Sequence, residues 1–440
     1  MSIDRRKFLV GVGAAAAGAA LGSTSAAEGN SPLAKIIDEK EVLTWPAVRE
    51  QFDSLSKDHI HLSSFFLASH PRVVRDEIEK HRRAIDNNPF VYIEENIYKM
   101  PGRIQEAVSG YMGTKPTEIG LTNSTTMGLA LVYQGLPLKA GQEILTTKYD
   151  HFIHHETIRL VAEKTGATVK KIALFDGFDS ITQDGIVARI KAAITTKTRI
   201  LGITWVHSST GLKLPLRAIA AMIAEVNKTR DEADRIISVV DGVHGFGVED
   251  ETIPETGIDF FCAGTHKWIF GPRGTGIVWA KADNWKQLNM VFPAFTMETV
   301  TAWLTDKPFD GKMTASSLGM GGFHSFEYEW ALPAAFAFHK HIGRDRVAER
   351  IHALNDQCKE GLAAMKNIAL YTPRGNDLAA GLICFDVNGI KAEEVVKRLL
   401  EKRIVASTAP YRDRYVRLAP SLINTPNDIE TALRSIRNLN

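Results

Sequence analysis

The chain has 440 residues, 44% of them apolar and 24% charged, with a formal net charge of +2 at pH 7. That composition suits a soluble globular protein with a large core, and it excludes intrinsic disorder, a collagen-like repeat and a small disulfide scaffold. The near balance of charge argues against a nucleic-acid partner, which calls for a basic excess.

Residues 1–27 read as an export address and not as part of the fold. Arg5-Arg6-Lys7-Phe8-Leu9 precedes the weakly apolar run GVGAAAAGAALG, and Ser25-Ala26-Ala27 supplies a small-residue cleavage pattern. Paired arginines before Phe-Leu resemble a twin-arginine signal, read by machinery that exports folded proteins, so the expected location is the periplasm. The blander reading is a basic amphipathic arm. GVGAAAAG imitates a dinucleotide fingerprint but follows no strand, and that reading is set aside. Cleavage after Ala27 removes Arg5, Arg6, Lys7 and Asp4 and leaves the charges balanced. No later apolar run approaches about 18 residues, so no membrane span is expected.

The rest divides into an N-terminal segment (28–85), a large domain (86–300) and a small C-terminal domain (301–440). Residues 31–60 are polar and read as helical, and 72–84 carry a charged helical pattern. From about residue 118, short apolar runs alternate with helical stretches: EIGLTN, EILTTK, TVKKIALF, TRILGITWV, RIISVVDG, DFFCAG and GTGIVWA. This is the βαβ pattern of an α/β protein with a mostly parallel, seven-stranded sheet and helices on both faces. Only THKWIFGPR separates the last two runs, too short for a crossover helix, so that pair is expected to be antiparallel. After about 300 a long helical stretch begins near Phe326 and continues past GRDRVAERIHALNDQCKEGLAAM. GLICFDV, the helix KAEEVVKRLLEK, the strand YVRLA and a last helix opening at TPNDIE follow, giving a smaller α+β unit.

In an open parallel sheet, ligands collect beyond the carboxyl ends of the strands. Asn123-Ser124-Thr125-Thr126-Met127-Gly128 follows the first run and opens a helix. Hydroxyls and free N–H groups there make a phosphate site, although the same residues also serve as plain caps. Asp241 closes an apolar strand, where a carboxylate needs a partner such as a protonated ring nitrogen. Lys267 follows a buried strand in a Gly-rich loop, flanked by His266 and Trp268. A lysine so placed loses its proton readily and can act as a nucleophile, whereas in isolation it reads equally well as an exposed loop lysine. A phosphate cup, a strand-end Asp and, 26 residues on, a His-Lys pair together match the needs of pyridoxal 5′-phosphate (PLP). Cys262, Cys358 and Cys384 show no CxxC or metal-ligand spacing. One disulfide could form after export, but Cys262 in FFCAG and Cys384 in GLICFDV read as buried inert thiols.

With DGVHG, THKW and GGFHSFEYEWAL, residues 60–435 resemble class V aminotransferases, the fold-type I PLP enzymes, in their isopenicillin N epimerase-like branch. The resemblance implies PLP on Lys267 as a Schiff base, with Asp241 holding the ring nitrogen. It implies His151 stacked on the ring, His244 near the ring hydroxyl and Ser208 where related enzymes often have Asn. The phosphate would fall to Ser124, Thr125, Thr126 and His266, with Thr265 as a further contact, and Arg417 would clamp a substrate α-carboxylate. It also implies a homodimer.

Three departures matter. A GGT-like motif, which in relatives sends a threonine to the neighbouring subunit's phosphate, here reads Gly321-Gly322-Phe323-His324, so that contact is in doubt and whether His324 replaces it stays open. The loop IVASTAPYRDRYVRLAP has no cysteine, so a desulfurase reading lacks its nucleophile. HLSSFFLASHP lacks the Asn-Gly pattern often seen in the N-terminal substrate segment. His151, His154 and His155 invite a metal reading, but no acidic third ligand is obvious and no metal is assigned. The expected activity is aminotransferase-type chemistry on an amino acid or peptide-like substrate, with siderophore maturation as the setting that the export address adds. Epimerisation stays open, and a non-catalytic PLP-fold binding protein is the reading of another class.

Overall fold

The structure, a computed structural model, describes residues 42–307, 313–318 and 321–439. The export address at 1–27 lies outside the described residues. Those described form one compact unit.

Seven strands, β1 (Ile119–Thr122), β2 (Glu143–Thr147), β3 (Thr168–Ile172), β4 (Thr198–Thr204), β5 (Ile237–Asp241), β6 (Phe260–Gly264) and β7 (Gly276–Ala280), form one sheet in the order β1-β7-β6-β5-β4-β2-β3. Each coincides with one of the apolar runs. Only β7 is reversed, pairing antiparallel with β1 and β6, because loop 265–275 is too short to carry the chain back over the sheet. The remaining pairs are parallel. Successive strand residues point to opposite faces, yet Val239 and Val240, like Phe260 and Phe261, are all fully buried, so helices cover both faces. On one face α1 (Thr125–Gly135) and α2 (Phe152–Thr165) contribute Leu129, Val132, Ile158 and Val161 to a core with Ile144, Ile200, Val239 and Cys262.

A second, antiparallel sheet contains β8 (Ile368–Leu370), β9 (Ile383–Val387), β10 (Ser407–Thr408) and β11 (Val416–Leu418) in the order β10-β11-β9-β8. Its core runs from Leu354 to Leu439 and takes in Leu62 from the N-terminal segment. Ile60–His61 also pairs parallel with Ile404–Val405, so this segment is stitched onto the small sheet.

Some expectations change. Of the stretch 31–60, the described part holds only the short helix Trp45–Glu50, capped by Thr44 with Pro46 in its first turn, followed by turns. The helical stretch expected from Phe326 is divided into three helices, Phe326–Trp330, Leu332–Ile342 and Arg344–Ala363. Pro333 starts the second, and Gly343 ends it with a φ of 98°, a value that glycine adopts without strain. Two further helices, Pro89–Asn96 and Met100–Met112, fill the region before β1.

Candidate active site

The carboxyl ends of β4, β5 and β6 lie side by side, with Thr204 opposite Asp241 and Asp241 opposite Cys262. Above them, Ser124, Thr125, Thr126, His151, Thr204, Ser208, Asp241, His244, His266 and Lys267 line one cavity of about 120 Å³. Residues spread over more than 140 positions of sequence meet there because strand order, and not chain order, sets neighbourhood.

The helix start of α1 forms one wall. Ser124 Oγ accepts the Met127 N–H at 3.1 Å, and Thr125 Oγ1 accepts the Gly264 N–H at 2.7 Å, tying the helix to the end of β6. The positive end of the helix and these hydroxyls suit an anion. His266 faces the same cavity with its buried Nδ1 lacking any partner among the described residues. Burial, and then the Lys267 charge, bring its pKa down to about 4, so it is a neutral ring at pH 7.

Thr265 is not among the residues that line the cavity. Its hydroxyl lies 2.5 Å from Thr275 Oγ1 in a fully buried pair. The loop 265–275 uses that pair to close on itself.

Lys267 and Asp241 share the cavity and influence each other. Burial lowers the lysine to about 8, with the Asp241 charge pulling against that shift. Burial raises Asp241 to about 6, opposed by the Val243 N–H, which donates to its Oδ1 at 3.2 Å, and by Lys267.

His244 fixes the proton state of this corner. The Trp268 indole Nε1 can only donate, and it donates to His244 Nδ1 at 3.4 Å. Burial, and then the charges of Lys267 and Arg417, hold His244 neutral. Its single proton therefore sits on Nε2, which lies 3.2 Å from Lys267 Nζ. An N–H there needs a lone pair opposite it, so the contact favours the free-base amine of Lys267.

His151 caps α2, its Nδ1 accepting the Ile153 N–H at 3.3 Å, and burial lowers it to about 4. Of the neighbouring histidines, His154 also lines the cavity and His155 does not. His154 Nε2 is 2.8 Å from the Tyr133 hydroxyl, and His155 Nε2 donates to the Thr147 carbonyl at 2.8 Å. Cys262, Cys358 and Cys384 are free, buried thiols.

Arg417 stands beside the cavity, behind Ser208. It is 4% exposed, its Nη1 donates to the Ser208 carbonyl at 3.2 Å, and its guanidinium lies 4.7 Å over the Phe65 ring. Its buried Nε has no partner, and no carboxylate pairs with it among the described residues. A buried, unneutralised guanidinium is costly unless an anion arrives. The sequence reading missed Phe65, Thr204 and Tyr411. Tyr411 Oη is 2.5 Å from Ser208 Oγ and its ring stands edge-on to His151. His324 is engaged at a different cavity, 3.1 Å from Glu329.

The sheet order and the strand-end site define a fold-type I PLP enzyme. The class-V aminotransferase model matches residues 68–409, and the chain belongs to that family, whose members depend on PLP. It is 25% identical over 352 residues to an isopenicillin N epimerase of Streptomyces clavuligerus, covering 77% of this chain and 84% of that protein. It is 21% identical over 425 residues to a probable cysteine desulfurase of Vibrio cholerae serotype O1, covering 90% of this chain and 98% of that one. Among solved structures it is similar to a variant of C-DES with glycine covalently linked to the PLP cofactor. There the TM-score is 0.79 at 20% identity, over 89% of this chain and 99% of the other.

Proposed function

We propose that this protein uses PLP to act on the amino group of an amino acid or peptide-like substrate, by aminotransferase-type chemistry. One observation carries the reading: Lys267, Asp241 and the hydroxyl-rich start of α1 open onto one cavity, with the unneutralised guanidinium of Arg417 beside it. The unpartnered polar atoms at His266 Nδ1, Thr204 Oγ1 and Arg417 Nε fit a ligand with several polar groups.

In this reading Ser124, Thr125, Thr126 and His266 hold the phosphate of the cofactor. Lys267, whose ammonium burial makes easier to deprotonate by lowering it to about 8, would tether it. Asp241 keeps the ring nitrogen protonated, and the ionised carboxylate that burial disfavours gains a cation. His151 presents a flat neutral ring to the cofactor, and His244 directs its Nε2 proton into the cavity. Bound PLP supplies an electron-withdrawing ring that stabilises negative charge on the substrate α-carbon. Arg417 orients the substrate through its carboxylate, and Lys267, once released from its tether, takes the α-proton.

Where that proton returns decides the reaction. With the cofactor bound, passing the amino group to it and on to a keto acid would be transamination, and returning the proton to the opposite face of the substrate α-carbon with the amino group retained would be epimerisation. The relatedness to isopenicillin N epimerases favours the second outcome as the alternative. Cysteine persulfide chemistry lacks a thiol, since burial pushes Cys262, Cys358 and Cys384 upward and none lies on loop 409–415.

Borohydride reduction of the yellow holoenzyme should fix the cofactor on Lys267, read by peptide mass mapping; label elsewhere, or none, defeats the assignment. Loss of α-deuterium with transfer of the amino group to a keto acid supports the aminotransferase. Inversion with the amino group retained supports the epimerase. A protein that takes up PLP without reacting with amines is the non-catalytic binding form.

The address at residues 1–27 supports folded export by the twin-arginine machinery to the periplasm. Export combined with this family resembles the periplasmic PLP enzyme of pyoverdine siderophore maturation, which makes a siderophore peptide the substrate class to try first. We also place the enzyme as a homodimer.

A further inference from the structure

Tyr411 sits on loop 409–415, which joins β10 to β11, and its hydroxyl meets Ser208 across 203 residues of sequence. The contact is 2.5 Å between the two oxygens. Ser208 is 5% exposed and lines the cavity, whereas Tyr411 does not. The main-chain oxygen of Ser208 is already taken by Arg417 Nη1. One residue therefore joins the tyrosine to the guanidinium.

Two hydroxyls in contact share one hydrogen bond, so one donates and the other keeps a free proton. A phenol is far more acidic than an aliphatic alcohol, and the alcohol oxygen is the better acceptor. Tyr411 thus donates to Ser208 Oγ. The serine proton cannot then point back at the tyrosine and turns toward the cavity it lines. Burial keeps the phenol protonated, which maintains this direction. Without the phenol the serine hydroxyl is free to rotate away.

We propose that Tyr411 is a positioning residue that aims the Ser208 hydroxyl proton at a carboxylate oxygen of the ligand held by Arg417. The proposal rests on the reading of Arg417 given above. Its guanidinium has no carboxylate partner and its Nε is unpartnered, and the Nη1 bond to the Ser208 carbonyl keeps the serine next to it. A carboxylate has lone pairs left after a guanidinium contact, and a hydroxyl held in place satisfies one of them. The ring of Phe65 covers a face of the guanidinium, which leaves its edge for the anion, and Ser208 is the hydroxyl-bearing residue already bonded to that edge.

The test compares L-alanine with ethylamine, which differ by the carboxylate, as ligands of the holoenzyme, with equilibrium titration followed by the visible absorption of the bound cofactor. In Tyr411→Phe the affinity for alanine should fall about 10-fold while that for ethylamine stays unchanged. Ser208→Ala should show the same selective loss, and the double variant should be no worse than either single one. A merely structural tyrosine would weaken both probes alike, and that result, or no effect on alanine, overturns the proposal. Arg417→Lys separates the two levels of inference. If it erases the preference for alanine while Tyr411→Phe is silent, only the role of Tyr411 falls. If Arg417→Lys leaves the preference intact, the reading of Arg417 fails and this proposal with it.

Discussion

Asp241 and Lys267 pay in stability for being ready to bind. Burial raises Asp241 to about 6, above the ordinary value near 4, so the folded apoprotein holds a proton on this group that the unfolded chain has lost between those pH values. That advantage is complete below about pH 4 and is lost as pH rises through 6, beyond which an ionised carboxylate is held at a cost. Asp241→Asn removes the charge without changing the shape. It should stabilise the apoprotein at pH 7.5 by about 1–3 kcal/mol, visible as a Tm higher by about 2–4 °C, with the gain gone near pH 4. The same variant should retain the cofactor poorly, since the ring nitrogen loses its counter-charge. Calorimetry across pH and cofactor content after dialysis check both halves, and a variant less stable at pH 7.5 would contradict the argument. Trp268 acts on the same corner through His244. In Trp268→Phe the indole donor disappears, Nδ1 can take the proton, and Nε2 can become an acceptor for an ammonium. The pKa of Lys267 in the apoprotein should then rise above about 8, measurable by the pH dependence of its acylation, and nitrogen NMR should show the changed His244 tautomer.

At the scale of elements, the site is held where β6 ends against α1. A Cβ added at Gly264 would lie 2.8 Å from His266 and 3.2 Å from Thr125 Oγ1, and both residues line the cavity. Gly264→Ala should therefore push the histidine ring and the helix start apart and weaken cofactor binding by about 10-fold or more. The sheet should stay intact, with far-UV circular dichroism unchanged and PLP affinity measured by titration. The sequence announces this junction only in part. Strands buried on both faces read as largely apolar runs, which makes the inner strands of the large sheet visible, whereas the edge strand Thr168–Ile172 is mostly exposed and interrupted by two lysines; Asp241 and Lys267 are conspicuous at the ends of the buried runs. Two-residue strands such as Ile60–His61 and Ser407–Thr408 are too short to carry a period and exist because a distant partner pairs with them. Phe65 and Tyr411 are hidden for the same reason. Their roles come from contacts with Arg417 and Ser208 that no local pattern encodes. Thr265 shows the converse: it lies next to the cup in sequence, yet the turn of its own loop directs the hydroxyl to Thr275.

At the scale of the molecule, several large aromatic side chains lie exposed on the surface of the described residues. Phe90, Trp303 and Phe323 are each at least 74% exposed, and Tyr98 and Phe295 are more than half exposed. Several of them belong to segments that converge. Ile97, Phe295, His324, Phe326 and Trp330 line a common cavity, Phe323 stands 5.9 Å from Phe326, and Trp330 lies 6.0 Å from Tyr92 on the helix that carries Phe90. A clustered apolar surface of this kind costs free energy in water and is relieved by a partner, and a second copy offers the same patch back across a two-fold axis. Light scattering should accordingly give twice the mass of one chain at micromolar concentration. Phe323→Asp places a charge on this patch and, being exposed, leaves the core of the subunit untouched. It should shift the equilibrium toward the monomer by 10-fold or more in analytical ultracentrifugation while the melting curve of the isolated subunit stays in place. A wild-type protein that remains a monomer at every concentration, or a Phe323→Asp variant that dimerises as tightly as the parent, would remove this patch from the interface.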